Sequence, residues 1–165
     1  MIEVDDSGWG DLIGGAVIVM RRVETGETHV GRIPLEYFRE PNFKYQEYLR
    51  AATQITLEGL DALKAPNSEP IHVCTGFILS AARETLKELG YDVHEAKITG
   101  ATQELAETEF IESLSELGVG KPKDIAAMRS FNGFLDWVKE NPATRERYVK
   151  TGWSSWRKHS EELQR

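Results

Sequence analysis

"MIEVDDSGWGDLIGGAVIVMRRV", residues 1–23, decides the fold. "IEVDD" alternates apolar and polar residues, as a half-buried strand does. "GGAVIVMRRV" (14–23) is rich in β-branched and apolar residues and reads as a second strand. The small residues between them form either a plain hairpin connection or a loop that presents Asp5 and Asp6 to a ligand. "ETGET" (24–28) is a turn by composition. "HVGRIPLEYF" (29–38) reads as a third strand, with Pro34 marking an edge or a bulge because proline cannot donate to a ladder. Three strands joined by short connections predict an antiparallel meander.

The pattern then changes period. Tyr48, Leu49, Ala52, Ile55, Gly59, Leu60 and Leu63 recur at helical spacing and predict a helix over 44–64. "IHVC" (71–74) is a short strand. "GFILSAARETLKELG" (76–90) is a helix, with Thr75 as its expected N-cap and Gly90 as its stop. "YDVHEAKI" (91–98) is a strand, and 99–118 is a further helix stopped by glycine. Strand–helix–strand–helix predicts parallel pairing through right-handed crossovers. Residues 119–124, "VGKPKD", read as a linker-like turn. Helices are expected at 128–140 and 143–159, with Gly152 as a break in the latter. The predicted organisation is an α/β domain over 1–118 and a helical C-terminal extension over 119–165.

A chain of 165 residues suits one such domain and is long enough to bury a core without staples. The single cysteine, Cys74, excludes an internal disulfide and fits a reducing compartment. No apolar run approaches the roughly 18 residues of a membrane span. The N-terminus has neither a basic n-region nor a long apolar h-region, so no signal peptide is expected and the cytoplasm is the predicted location. The net charge of −7 counts against a general nucleic-acid binder. It is unevenly spread: 141–158 carries five basic residues and one acid, a net +4, which leaves −11 elsewhere. In that tail Tyr148, Trp153 and Trp156 interleave with the cations. They either stack bases or dock a terminal helix, and the three-residue spacing of the tryptophans favours docking.

Meander, helix, strand, helix, strand, helix: this order over 1–118 resembles the RNase H-like superfamily, which includes ribonucleases H and Holliday-junction resolvases. "VDDSG" looks like the first strand of that family, which ends in a metal-binding aspartate, and Asp5 fits the slot. "KITGATQELAE" (97–107) looks like the segment leading into the last acidic helix of the resolvase branch. The resemblance implies a mixed sheet and phosphoester processing, on nucleic acid, dependent on Mg²⁺ or Mn²⁺. It assigns Asp5, Asp6 and Glu109 as catalytic carboxylates, with Asp5, Asp6, Glu47 and Glu109 as the candidate metal ligands. On a helical wheel Glu47 lies away from the apolar stripe, whereas Glu109 lies near the face of Ala106, Phe110 and Leu117. The fourth strand runs into Thr75 and Gly76 where the ribonuclease branch has an aspartate. The alternative is a non-catalytic domain of the same fold that binds a nucleotide, an anion or a protein partner. The carboxylate count separates the two, since hydrolysis needs a cluster.

The residues alone raise two further readings. "VCTG" (73–76) and "KITG" (97–100) both run from a strand into a helix, on the edge where α/β proteins bind ligands. Thr75, Gly76, Thr99 and Gly100 are therefore candidate phosphate-binding positions; otherwise they are caps and tight turns. Cys74, with His72 two residues away, is either a thiol nucleophile or a small buried hydrophobe. HExxH, CxxC and Walker-type patterns are absent.

Overall fold

The computed structural model describes residues 1–163. Strands β1 (Ile2–Ser7), β2 (Ala16–Arg22) and β3 (Thr28–Ile33) form the meander. Helix α1 (Glu47–Ala62) leads to β4 (Ile71–Val73), α2 (Ser80–Glu88), β5 (Val93–Glu95) and α3 (Ala101–Leu117). One five-stranded sheet results, ordered β3-β2-β1-β4-β5. β1 pairs antiparallel with β2, and β2 with β3, while β1, β4 and β5 run parallel. The chain is thus α/β with a mixed sheet, as the change from hairpin-length to helix-length connections predicts.

Period-two alternation sends the two halves of each strand to opposite faces. Ile2, Val4, Ile18, Met20, Ile71 and Val73 pack under α1 and α2. Val17 joins Phe110 and Leu114 of α3 on the other face, with Leu12 and Ile13. Both faces are covered, so β2 is apolar over its first five residues rather than alternating.

Several boundaries shift for local reasons. Pro34 ends β3, and Leu35–Phe38 continues as a 3₁₀ turn. α1 starts at Glu47 because Gln46 adopts a left-handed backbone, φ 55°. Thr75 caps nothing: a 3₁₀ turn, Phe77–Leu79, intervenes and α2 opens at Ser80. β5 is short. α3 ends as expected at Gly118, whose φ of 102° is costly for any residue with a Cβ.

Beyond Gly118 the extension comprises α4 (Pro122–Met128), α5 (Phe131–Glu140), α6 (Pro142–Arg145) and α7 (Ser154–Leu163). "VGKPKD" is not a linker, since Pro122 takes the first turn of α4, where its missing N–H is harmless. Ser130 caps α5 through Oγ, which accepts from the Gly133 N–H at 2.8 Å. The helix expected over 143–159 is interrupted. Residue 149 forms an antiparallel bridge to Ile13, and Gly152 lies against the Phe43 ring, where a Cβ would overlap it.

The tail docks. Trp156 is buried in the core beneath α3, and Trp153 packs against Trp9 and Phe43. Four of its five cations are engaged too: Arg145 lies over Trp137, Arg147 over Tyr148, Arg157 pairs with Glu40, and Lys150 is fully buried. Among the described residues no helix is long and apolar enough to cross a membrane.

Candidate functional site

β1 and β4 end side by side because Val4 pairs with Val73. The chain beyond these strand ends lines a cleft of about 400 Å³, with Asp5, Asp6, Ser7, Cys74, Thr75, Gly76, Lys97, Glu107 and Arg129 in its wall. Asp5 shares a strand face with Glu3, which accepts from the Thr102 hydroxyl of α3 at 2.6 Å, so Asp5 lies on the α3 side. Asp6 turns the other way and meets Cys74, whose thiol donates to Asp6 Oδ1 at 3.2 Å. One ligand atom from each of Asp5, Asp6 and Cys74 lies within 4.8 Å of the others. A Cβ at Gly76 would stand 3.1 Å from Asp6 Oδ1, so a larger residue there would push that carboxylate aside by a few tenths of an ångström.

Charge is unbalanced here. Asp5 is only 8% exposed, and its one hydrogen bond from the backbone is the Asp6 N–H at 2.9 Å. Burial first, then the charges of Asp6 and Glu107, push its carboxyl up to about 6. Burial also raises Asp6. The Cys74 thiol is pushed far up by burial and by the Asp6 charge, so it stays protonated. That removes the nucleophile reading: the thiol donates to a carboxylate, and His72 stacks near His94 instead.

The structure brings together Asp5, Asp6, Thr75 and Gly76 from the expected set. It does not bring Glu109, Glu47, Thr99 or Gly100 to this cleft. Glu109 reaches Arg32 of β3 at 3.5 Å. Glu47 opens α1, half exposed, beside Arg50. Glu107 stands in the wall instead. The buried stripe of α3 is Thr102, Ala106, Phe110 and Leu114. Glu107 and Glu109 flank it at similar angles, roughly 80° on either side, so the wheel cannot choose between them. Packing chooses: one flank faces the end of β1 and the other faces β3. Lys97, at the exit from β5, has no ion-pair or hydrogen-bond partner for its ammonium among the described residues.

Arg129 comes from the joint between α4 and α5. It donates to Asp11 through Nε and Nη2, at 3.3 and 3.1 Å, and to Ser7 Oγ through Nη2 at 2.8 Å. Its guanidinium lies 4.7 Å from the centre of the Phe110 ring. Sequence offers no signal for it, since Asp11 and Arg129 are 118 residues apart. No family model matches the chain, and no curated protein matches it.

Proposed function

We propose that this cleft holds a divalent cation and, through it, a phosphate ester, in keeping with the resemblance to RNase H-like proteins. The observation that carries the reading is the convergence of Asp5, Asp6 and Glu107 in one cleft whose wall also holds Lys97 and Arg129.

The donor set fits Mg²⁺ or Mn²⁺. Such an ion takes one or two carboxylates and keeps several waters, and Asp5 and Asp6 supply two hard oxygens at close range. Cys74 adds no donor to a hard cation while it remains a thiol; it fixes the Asp6 rotamer. When bound, the ion would supply charge against phosphate oxygens and acidify a water. Glu107, exposed on α3, is positioned to accept a hydrogen bond from a water or a ligand hydroxyl in the cleft. Lys97 offers an unpaired ammonium to a phosphate oxygen. Nucleic acid is the substrate class that the resemblance implies.

A second reading, binding without hydrolysis, is favoured by Cys74, a thiol at the end of β4 where a further carboxylate would serve catalysis.

Mn²⁺ titration followed by electron paramagnetic resonance tests the site. Weak binding is expected for the wild type, a loss of at least about tenfold for Asp5→Asn, and a smaller loss for Glu107→Gln, since even the hydrogen-bond partners of metal ligands are worth about 10–100-fold in affinity. Equal affinity in Asp5→Asn would remove the cation reading. Cleavage of a single-stranded oligonucleotide with Mn²⁺, absent in Asp5→Asn, separates enzyme from binder.

A further inference from the structure

We propose that Arg129, delivered by the C-terminal extension, grips a phosphate oxygen of the ester bound in this cleft; this rests on the phosphate-ester reading above.

The guanidinium has five N–H donors. Three are committed: Nε and one Nη2 proton to Asp11, the other Nη2 proton to Ser7. The remaining two both belong to Nη1, which has no partner among the described residues. Asp11 holds one edge of the plane and Phe110 one face, so the group is set in place before any ligand arrives. Ser7 follows Asp6 directly in β1, which ties the arginine to the strand end that carries the acids. The side chain is 23% exposed, enough to reach a ligand without swinging. A preorganised planar fork with two open donors on one nitrogen suits an anionic oxygen with more than one lone pair, and a phosphodiester supplies it. An arginine serving only as a strut between the extension and the sheet would need no opening onto the cleft.

The placement also gives the extension a part in binding. Ser130, the next residue, caps α5, and Met128 ends α4, so both neighbours of Arg129 are fixed in the joint between two helices. The acids come from the sheet and α3, and the counter-cation from the extension. The site is complete only when the two are packed together.

Fluorescence anisotropy with a short labelled oligodeoxythymidylate tests this on the full chain, in Ca²⁺ and separately in EDTA, across a salt series. Arg129→Gln is expected to weaken binding about tenfold or more in both buffers. It should also flatten the slope of log K against log salt by about 0.7, the share of one phosphate contact on a single strand. Because Arg129→Gln also cuts the Asp11 pair, Arg129→Lys is the second variant. Its three donors can serve Asp11 and Ser7 but leave none over, so it should melt close to the wild type and lose affinity, while its retained charge keeps the slope near that of the wild type. Mn²⁺ affinity should be unchanged in Arg129→Lys. The proposal is overturned if Arg129→Lys binds the oligomer with wild-type affinity, if Arg129→Gln keeps the wild-type slope, or if the wild type binds none in either buffer. If the Arg129 effect persists in EDTA while the wild type shows no Mn²⁺ binding, the arginine subsite stands and the cation reading falls.

Discussion

At the start of β1 the Met1 ammonium, Arg22, Glu24, Glu27 and Glu69 interlock; at its end Asp5, Asp6 and Glu107 share a cleft with Lys97 and Arg129, but among the described residues none of the three acids is ion-paired. Arg22 grips both oxygens of Glu69 at 2.9 Å, and also reaches Glu27 and the Leu63 carbonyl. The Met1 ammonium bonds Glu24 and Glu69. Arg22 and the amino terminus hold Glu69 well below the usual carboxylate range, down to about 2. On the same strand, burial and neighbouring anions push Asp5 the other way, up to about 6. Carboxylates that serve only the fold are given partners. Carboxylates left without them, in a cleft, store unfavourable charge that a cation relieves.

The largest effect that would sharpen this contrast is on binding. Asp5→Asn should abolish most Mn²⁺ affinity yet leave the apo chain as stable or more so, by about 2–4 °C in Tm near neutral pH, the shift that roughly 1 kcal/mol gives in a domain of this size. Glu69→Gln should do the reverse: a clear drop in Tm with unchanged Mn²⁺ affinity. A variant at either end that moved both readouts equally would erase the distinction.

The two ends also predict opposite pH behaviour. The folded chain keeps a proton on Asp5 between 3.8 and about 6 that the unfolded chain has released, so this residue makes stability fall as pH rises through that window. Glu69 contributes stability above its unfolded value of 4.5, and that contribution is lost as pH falls toward about 2. Chemical denaturation across pH 3–7 should show the falling limb flattened in Asp5→Asn and the acid limb flattened in Glu69→Gln.

Lys150 is a third charge with another solution. It is fully buried, donates to the Ile13 carbonyl at 2.9 Å, and lies near the rings of Phe38 and Phe110. Burial lowers it to about 7, with Arg129 adding to the fall and Asp11 opposing it. Between about 7 and 10.5 the unfolded chain holds a proton that the folded chain has shed, so Lys150 makes stability rise with pH there, by at most about 1.4 kcal/mol per unit. Lys150→Met should flatten that rise; an unchanged slope would show that the ammonium stays charged when folded.

The meander and the parallel half were legible because strand period, loop length and glycine stops are local. Gly152 was legible as a break for the same reason, whereas Pro34, read as an edge or a bulge in a strand over 29–38, in fact stops β3 at Ile33. The 3₁₀ turn at Phe77–Leu79 was not, since "TGF" resembles a helix start until tertiary contacts place it. Asp5 and Asp6 could be read from a strand that ends in acids. Glu107 could not be told from Glu109, because a helix with two acidic flanks does not say which flank faces which strand. Arg129 was invisible for want of any local pattern. The tail misled in its helix length but not in its tryptophans, whose shared face was a packing signal.

The bridge between Ile13 and Val149 has a consequence for the order of folding. The Gly14 N–H donates to the Tyr148 carbonyl, the Lys150 N–H to Leu12, and the Lys150 ammonium reaches Ile13 across 137 residues of chain. Contacts of such separation form late, because closing so large a loop is entropically slow. The segment between β1 and β2 is synthesised long before Tyr148–Lys150, the residues that finally hold it. A nascent chain ending near Gly118 has the sheet, α3 and all three acids, but neither Arg129 nor the segment 148–150 that pins residues 12–14. Assembly of the cleft therefore waits until the chain as far as about Lys150 has been made.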